Sequence, residues 1–149
     1  MSQIIQNAFE PVAQLPDILS DPKRRRTVSS VALKLFLRLT ESWGLNGTQQ
    51  MRLLGDVPRP TFQRWKKRLA DGQPVELDRD QLERISLCLG VEKGLKTIFA
   101  DEAAGLRWLL GANTDQPFHG LSPADKMSEG GIIGMHATRQ YLDAWRGIR

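Results

Sequence analysis

The chain has 149 residues, of which 40% are hydrophobic and 26% charged. That balance suits an ordinary folded protein, either one helical domain or two small modules, and excludes a disordered chain. No run of about eighteen apolar residues is present to span a bilayer. The start, MSQIIQNAFEPVAQLPDIL, lacks the basic and apolar blocks of a signal peptide, and Cys88 has no cysteine to pair with, so a soluble cytoplasmic protein is expected.

The net charge of +4 is unevenly spread. Residues 1–70 carry twelve Lys and Arg against five Asp and Glu, and residues 71–149 carry nine against twelve. A basic first half can face phosphates, and a mildly acidic second half suits another task. A protein that coats DNA without selectivity would be basic throughout.

In chain order, residues 1–26 read as a loose arm punctuated by Pro11, Pro16 and Pro22 and ending in Lys23-Arg24-Arg25-Arg26. A helix is predicted over Thr27–Trp43, with Val28, Val31, Ala32, Leu35, Leu39 and Trp43 on one apolar face and Gly44 as its stop. A short helix over Thr48–Leu54 ends at Gly55, a turn follows through Asp56-Val57-Pro58, and a second helix covers Pro60–Ala70. Asp71-Gly72-Gln73-Pro74 reads as a linker, which divides the chain into an arm (1–26), a helix-turn-helix module (27–72) and a second helical module (73–149). Asp78 caps a helix to about Leu89 that Gly90 ends. Further helices are predicted over Glu92–Phe99 and Glu102–Leu110, after Ser122-Pro123, and over Ile132–Arg146. The fold class is therefore all-α: a helix-turn-helix followed by a small helical C-terminal domain.

The segment VPRPTFQRWKKRL carries the chemistry. Reading the major groove needs a helix with a polar face and an apolar face that fixes it to a support. Phe62, Trp65 and Leu69 supply the apolar face, expected to pack on Met51, Leu54 and Val57. Arg59, Thr61, Gln63, Arg64, Lys66 and Lys67 are left to face double-stranded DNA, with no acidic residue from Pro58 to Ala70. Arg pairs with guanine, Gln with adenine, and Thr and Lys hold phosphates. Arg24 and Arg25 of the basic run are further candidates for phosphate or minor-groove contact. The bland alternative is a solubilising amphipathic helix preceded by a solvated arm.

No catalytic or metal constellation is present. His119 and His136 are not at ligand spacing with Cys88, and Cys88 between Leu87 and Leu89 reads as a small buried hydrophobe. No phosphate-binding glycine fingerprint occurs, so neither a cofactor nor enzymatic activity is expected.

The succession of a helix, LNGTQQMRLLGDVPRPTFQRWKK, LDRDQLERISLCLGV and the terminal GGIIGMHATRQYLDAWRGIR resembles the Xre/MbcA/ParS family of antitoxins, over about residues 27–149. The resemblance implies a dimer whose N-terminal module binds its own promoter. It also implies a C-terminal domain whose end blocks the cleft of a NAD-degrading RES-type toxin. Carried onto this chain, the toxin-facing candidates are Arg139, Tyr141, Leu142, Trp145, Arg146 and Arg149. Leu142 and Trp145 at this spacing also suit the core-facing side of a terminal helix. A stand-alone dimeric repressor that senses a small ligand is the competing expectation.

Overall fold

The computed structural model describes residues 20–147, and among them seven α-helices and no strand occur. They are α1 (Pro22–Ser42), α2 (Gly47–Leu53), α3 (Arg59–Ala70), α4 (Arg79–Ile98), α5 (Glu102–Leu110), α6 (Pro123–Glu129) and α7 (Gly131–Trp145). The all-α class is as the periodicity predicts. No helix among these residues is long and apolar enough to cross a membrane.

Helix α1 begins five residues before the predicted start. Asp21 caps it by accepting from the Lys23 amide at 3.0 Å, and Pro22 occupies the first turn. The basic run Lys23–Arg26 is therefore helical and not the tail of an arm; residues 1–19 of that arm lie outside the described residues. The buried side of α1 is also broader than predicted. Val28, Ala32, Leu39 and Trp43 are buried as expected, but Leu33 and Phe36 are wholly buried while Val31 is exposed. The helix is covered from two directions, by α4 and by the strap that precedes α4, so its apolar arc is rotated and widened.

That strap directly follows the predicted linker, Asp71–Pro74, which is itself exposed. Val75 and Leu77 are buried, and their amides donate to Ser30 Oγ at 2.9 Å and Ser29 Oγ at 3.0 Å. Ordered backbone pinned to α1 joins the two halves. The core is likewise continuous, running from Val28 on α1 through Phe62 on α3 to Leu142 on α7.

A capping box starts α4, with the Gln81 amide donating to Asp78 at 2.7 Å and the Asp78 amide to Gln81 at 2.9 Å. The predicted break at Gly90 does not occur, and α4 is one helix to Ile98. Gly90 and Gly94 lie one turn apart where α7 crosses. A Cβ on Gly90 would run into the Arg139 guanidinium, and one on Gly94 would lie 3.2 Å from the Leu142 side chain. These glycines set the approach of α7 to α4, at the cost of helix propensity. Asp101 caps α5 and Ser122 caps α6, accepting at 2.7 and 3.0 Å.

Candidate nucleic-acid interface and C-terminal aromatic cluster

The helix-turn-helix is built from α2, a five-residue turn and α3. Asn46 and Gln49 form a capping box that starts α2. Gln50, buried, donates to Thr40 Oγ1 at 2.8 Å and so ties α2 to α1. Gly55 (φ +93°) and Asp56 (φ +60°) turn the chain in left-handed backbone geometry, and the Val57 amide returns to the Met51 carbonyl at 3.2 Å. Helix α3 then runs from Arg59 with Pro60 in its first turn.

Phe62 is 1% exposed and Trp65 8%, and with Leu69 they seat α3 in the core that contains Met51, Leu54 and Val57, as the spacing predicts. The opposite side carries Arg59, Gln63, Arg64, Lys66 and Lys67, all exposed, with Thr61 half-buried at the edge. Lys67 meets Asp71 at 3.5 Å in a solvent-exposed pair, an interaction worth little against a phosphate. Lys66 lies 5.5 Å over the Phe62 ring. Six polar side chains, four of them cationic, thus stand on a rigidly held helix with no carboxylate among them.

Arg24 and Arg25 sit in the first turn of α1. Arg24 pairs at long range with Asp21 (3.9 Å), and Arg25 borders Glu76, Leu77 and Asp78. The neighbouring Arg26, the last of the basic run, reaches the α3 side and lines a cleft with Arg64, Trp65, Arg68 and Glu76. The signal was available in the run itself: four consecutive cations cannot all face one way on a helix.

The C-terminal candidates divide. Leu142 is wholly buried against Gly94 and is a core residue, so it is removed from the toxin-facing set. Trp145 is 50% exposed while one edge packs on Phe99 at 5.4 Å. Tyr141 stacks on Trp108 at 5.8 Å and donates to Asp115 at 2.8 Å, a bond that holds its phenol proton and raises its pKa. Arg139 and Arg146 share Asp143, at 3.4 and 3.7 Å. Arg146, named as toxin-facing, keeps only 15% of its side chain in solvent because it folds onto that carboxylate. Arg149 lies outside the described residues.

Phe99, Trp108, Phe118, Tyr141 and Trp145 form one aromatic cluster. Its members are 46 residues apart at the extremes, a separation that helical periodicity does not bridge. Leu110 and Leu121, nearly half exposed, are the other large apolar side chains left in solvent between α5 and α6.

Among the described residues no group of three His, Cys, Asp or Glu is placed to hold a metal. Cys88 is fully buried, and burial pushes its thiol up to about 12.

Residues 24–90 match the antitoxin Xre-like helix-turn-helix domain, a span that starts inside the basic run and ends within α4. The match crosses the predicted boundary at residue 72, in keeping with the buried strap. The chain is 35% identical over 135 residues to the uncharacterized protein y4oB of Sinorhizobium fredii (strain NBRC 101917 / NGR234), covering 87% of this chain and 99% of that protein. No solved structure matches the chain. The similarity along nearly the whole length places the chain in the family of y4oB, with an antitoxin Xre-like helix-turn-helix domain whose matched span contains the α2–turn–α3 geometry.

Proposed function

We propose that this protein is an antitoxin that represses its own operon and neutralises a RES-type, NAD-degrading toxin. The observation that carries the DNA half is the outward face of α3, cationic and free of carboxylates, on a helix anchored by Phe62 and Trp65. A dimer would set two such helices in successive major grooves of a palindromic operator. Gln63 and Lys67, at the centre of the outward face, are the base-edge candidates. Arg59, Thr61 and Lys66 flank them for phosphates.

The toxin half rests on the resemblance of the C-terminal block, and the half-exposed Trp145 beside Tyr141 supports it. A large aromatic that is partly buried and partly in solvent is the usual form of a binding anchor. Arg139 and Arg146 are tied to Asp143 and largely withdrawn from solvent, which leaves Arg149 as the cation offered to an acidic nucleotide-binding cleft.

The test is coexpression with the adjacent gene under an inducible promoter, reading growth and cellular NAD. Arrest and NAD loss caused by the neighbour, both reversed by this protein, support the reading. A harmless neighbour, or rescue that fails, leaves a stand-alone repressor.

A further inference from the structure

The cleft between α1 and α3 is the place where the structure gathers charge that neither the helix-turn-helix pattern nor the core explains. It measures about 360 Å³ and is lined by Arg26, Arg64, Trp65, Arg68, Pro74, Val75 and Glu76. Arg68 is held there, its Nε donating to the Pro74 carbonyl at 2.7 Å. Arg26, Arg64 and Glu76 close no ion pair within 4.0 Å among the described residues. Three guanidiniums against one carboxylate leave the cleft net positive among the described residues.

Two further features give that charge a direction. The run Lys23–Arg26 occupies the first turn of α1, the positive end of the helix, where cations are unfavourable; its charge does not serve α1. Arg64 and Arg68 are one turn apart on α3, on the flank next to the outward face that carries Gln63 and Lys67. An anion in the cleft would therefore lie alongside any duplex read by α3.

We infer that this cleft holds one backbone phosphate of double-stranded DNA, gripped by Arg26 and Arg64 with Arg68 behind them, and that Glu76 weakens the grip. The inference rests on the DNA-binding reading above and sharpens it. Arg64 becomes a positioning contact that fixes the depth and tilt of α3, and base discrimination is left to its neighbours. Guanidinium is the suited cation, because its fork meets phosphate oxygens two at a time. The space exceeds a phosphate, leaving room for bridging waters at ~30 Å³ each.

The experiment measures binding of the full-length protein to its promoter duplex and to a scrambled duplex over a salt series. Arg26→Ala and Arg64→Ala are each expected to weaken both duplexes by the same factor. Changing both together is expected to lower the slope of log affinity against log salt by about 0.9, one phosphate contact, and each alone by part of that. Arg26→Lys keeps the slope, which separates loss of charge from damage to α1. Glu76→Gln tightens both duplexes severalfold. An unchanged slope for Arg26→Ala with wild-type binding intact overturns the inference alone. So does a loss for Arg64→Ala confined to the promoter, or a Glu76→Gln variant that binds no tighter. If the wild-type protein binds neither duplex, the DNA-binding reading falls and the phosphate site falls with it.

Discussion

Two substitutions three residues apart on α7 separate packing from recognition. Leu142→Ala removes three carbons from a wholly buried site whose floor is Gly94, which has no side chain to fill the space. Transfer and cavity terms together give a loss of about 3–4 kcal/mol. For a chain of this length each kcal/mol moves Tm by roughly 2–4 °C, so Tm falls by roughly 6–16 °C. Trp145 is half in solvent but packs on Phe99, Trp108 and Tyr141, so Trp145→Ala costs about 2 kcal/mol, roughly half the loss for a buried aromatic and less than for Leu142→Ala. Thermal unfolding followed by circular dichroism reads the first quantity, and neutralisation of the toxin at a temperature where both variants are folded reads the second. The expected pattern is crossed: Leu142→Ala is the less stable but neutralises, and Trp145→Ala is the more stable but neutralises poorly. Equal Tm losses, or a Leu142→Ala variant of unchanged Tm that fails to neutralise, would refute the division of α7 into a buried and a binding side.

Gln63→Ala is expected to cost about 1–3 kcal/mol on the promoter and nothing on scrambled DNA, measured by fluorescence anisotropy. Cys88, with its thiol pushed up to about 12 by burial, is expected to resist a thiol reagent at pH 8 in the native protein and to react at once in denaturant. Fast reaction in the native state would mean that α4 opens where it meets α1. Deleting residues 146–149 is expected to leave promoter binding intact and to abolish neutralisation, since the residues assigned to DNA all lie on α1 and α3. Asp78→Ala removes the side-chain half of a capping box and is expected to lower stability by about 1 kcal/mol without changing DNA contacts.

The helix-turn-helix was legible because its signals are local. The spacing of Phe62, Trp65 and Leu69, the turn at Gly55 and the absence of acid from 58 to 70 all lie within one short window. The misreadings share a cause: each concerns a residue whose role is set by a distant partner. Gly90 looks like a helix stop until α7 crosses it with Arg139. The module boundary drawn at Asp71–Pro74 looks clean until Ser29 and Ser30 accept the amides of Leu77 and Val75 just beyond it. Leu142 looks like a binding residue near a chain end until Gly94 is seen beneath it. Arg26 and Arg68 gained a role only when α1 and α3 were brought to the same cleft. Of the terminal helix, the periodicity gave its position and the tertiary packing gave its sides.

The account stands or falls on whether the outward face of α3 reads DNA sequence. The measurement that tests it most directly is the affinity of the full-length protein for its own promoter against a scrambled duplex of equal length and salt. The account predicts tighter binding to the promoter by a factor of at least about 10³, the lower range for specific regulators. It also predicts that the difference collapses when Gln63 and Lys67 are both changed to Ala. Equal affinity for the two duplexes, or a preference that survives the double substitution, would contradict it.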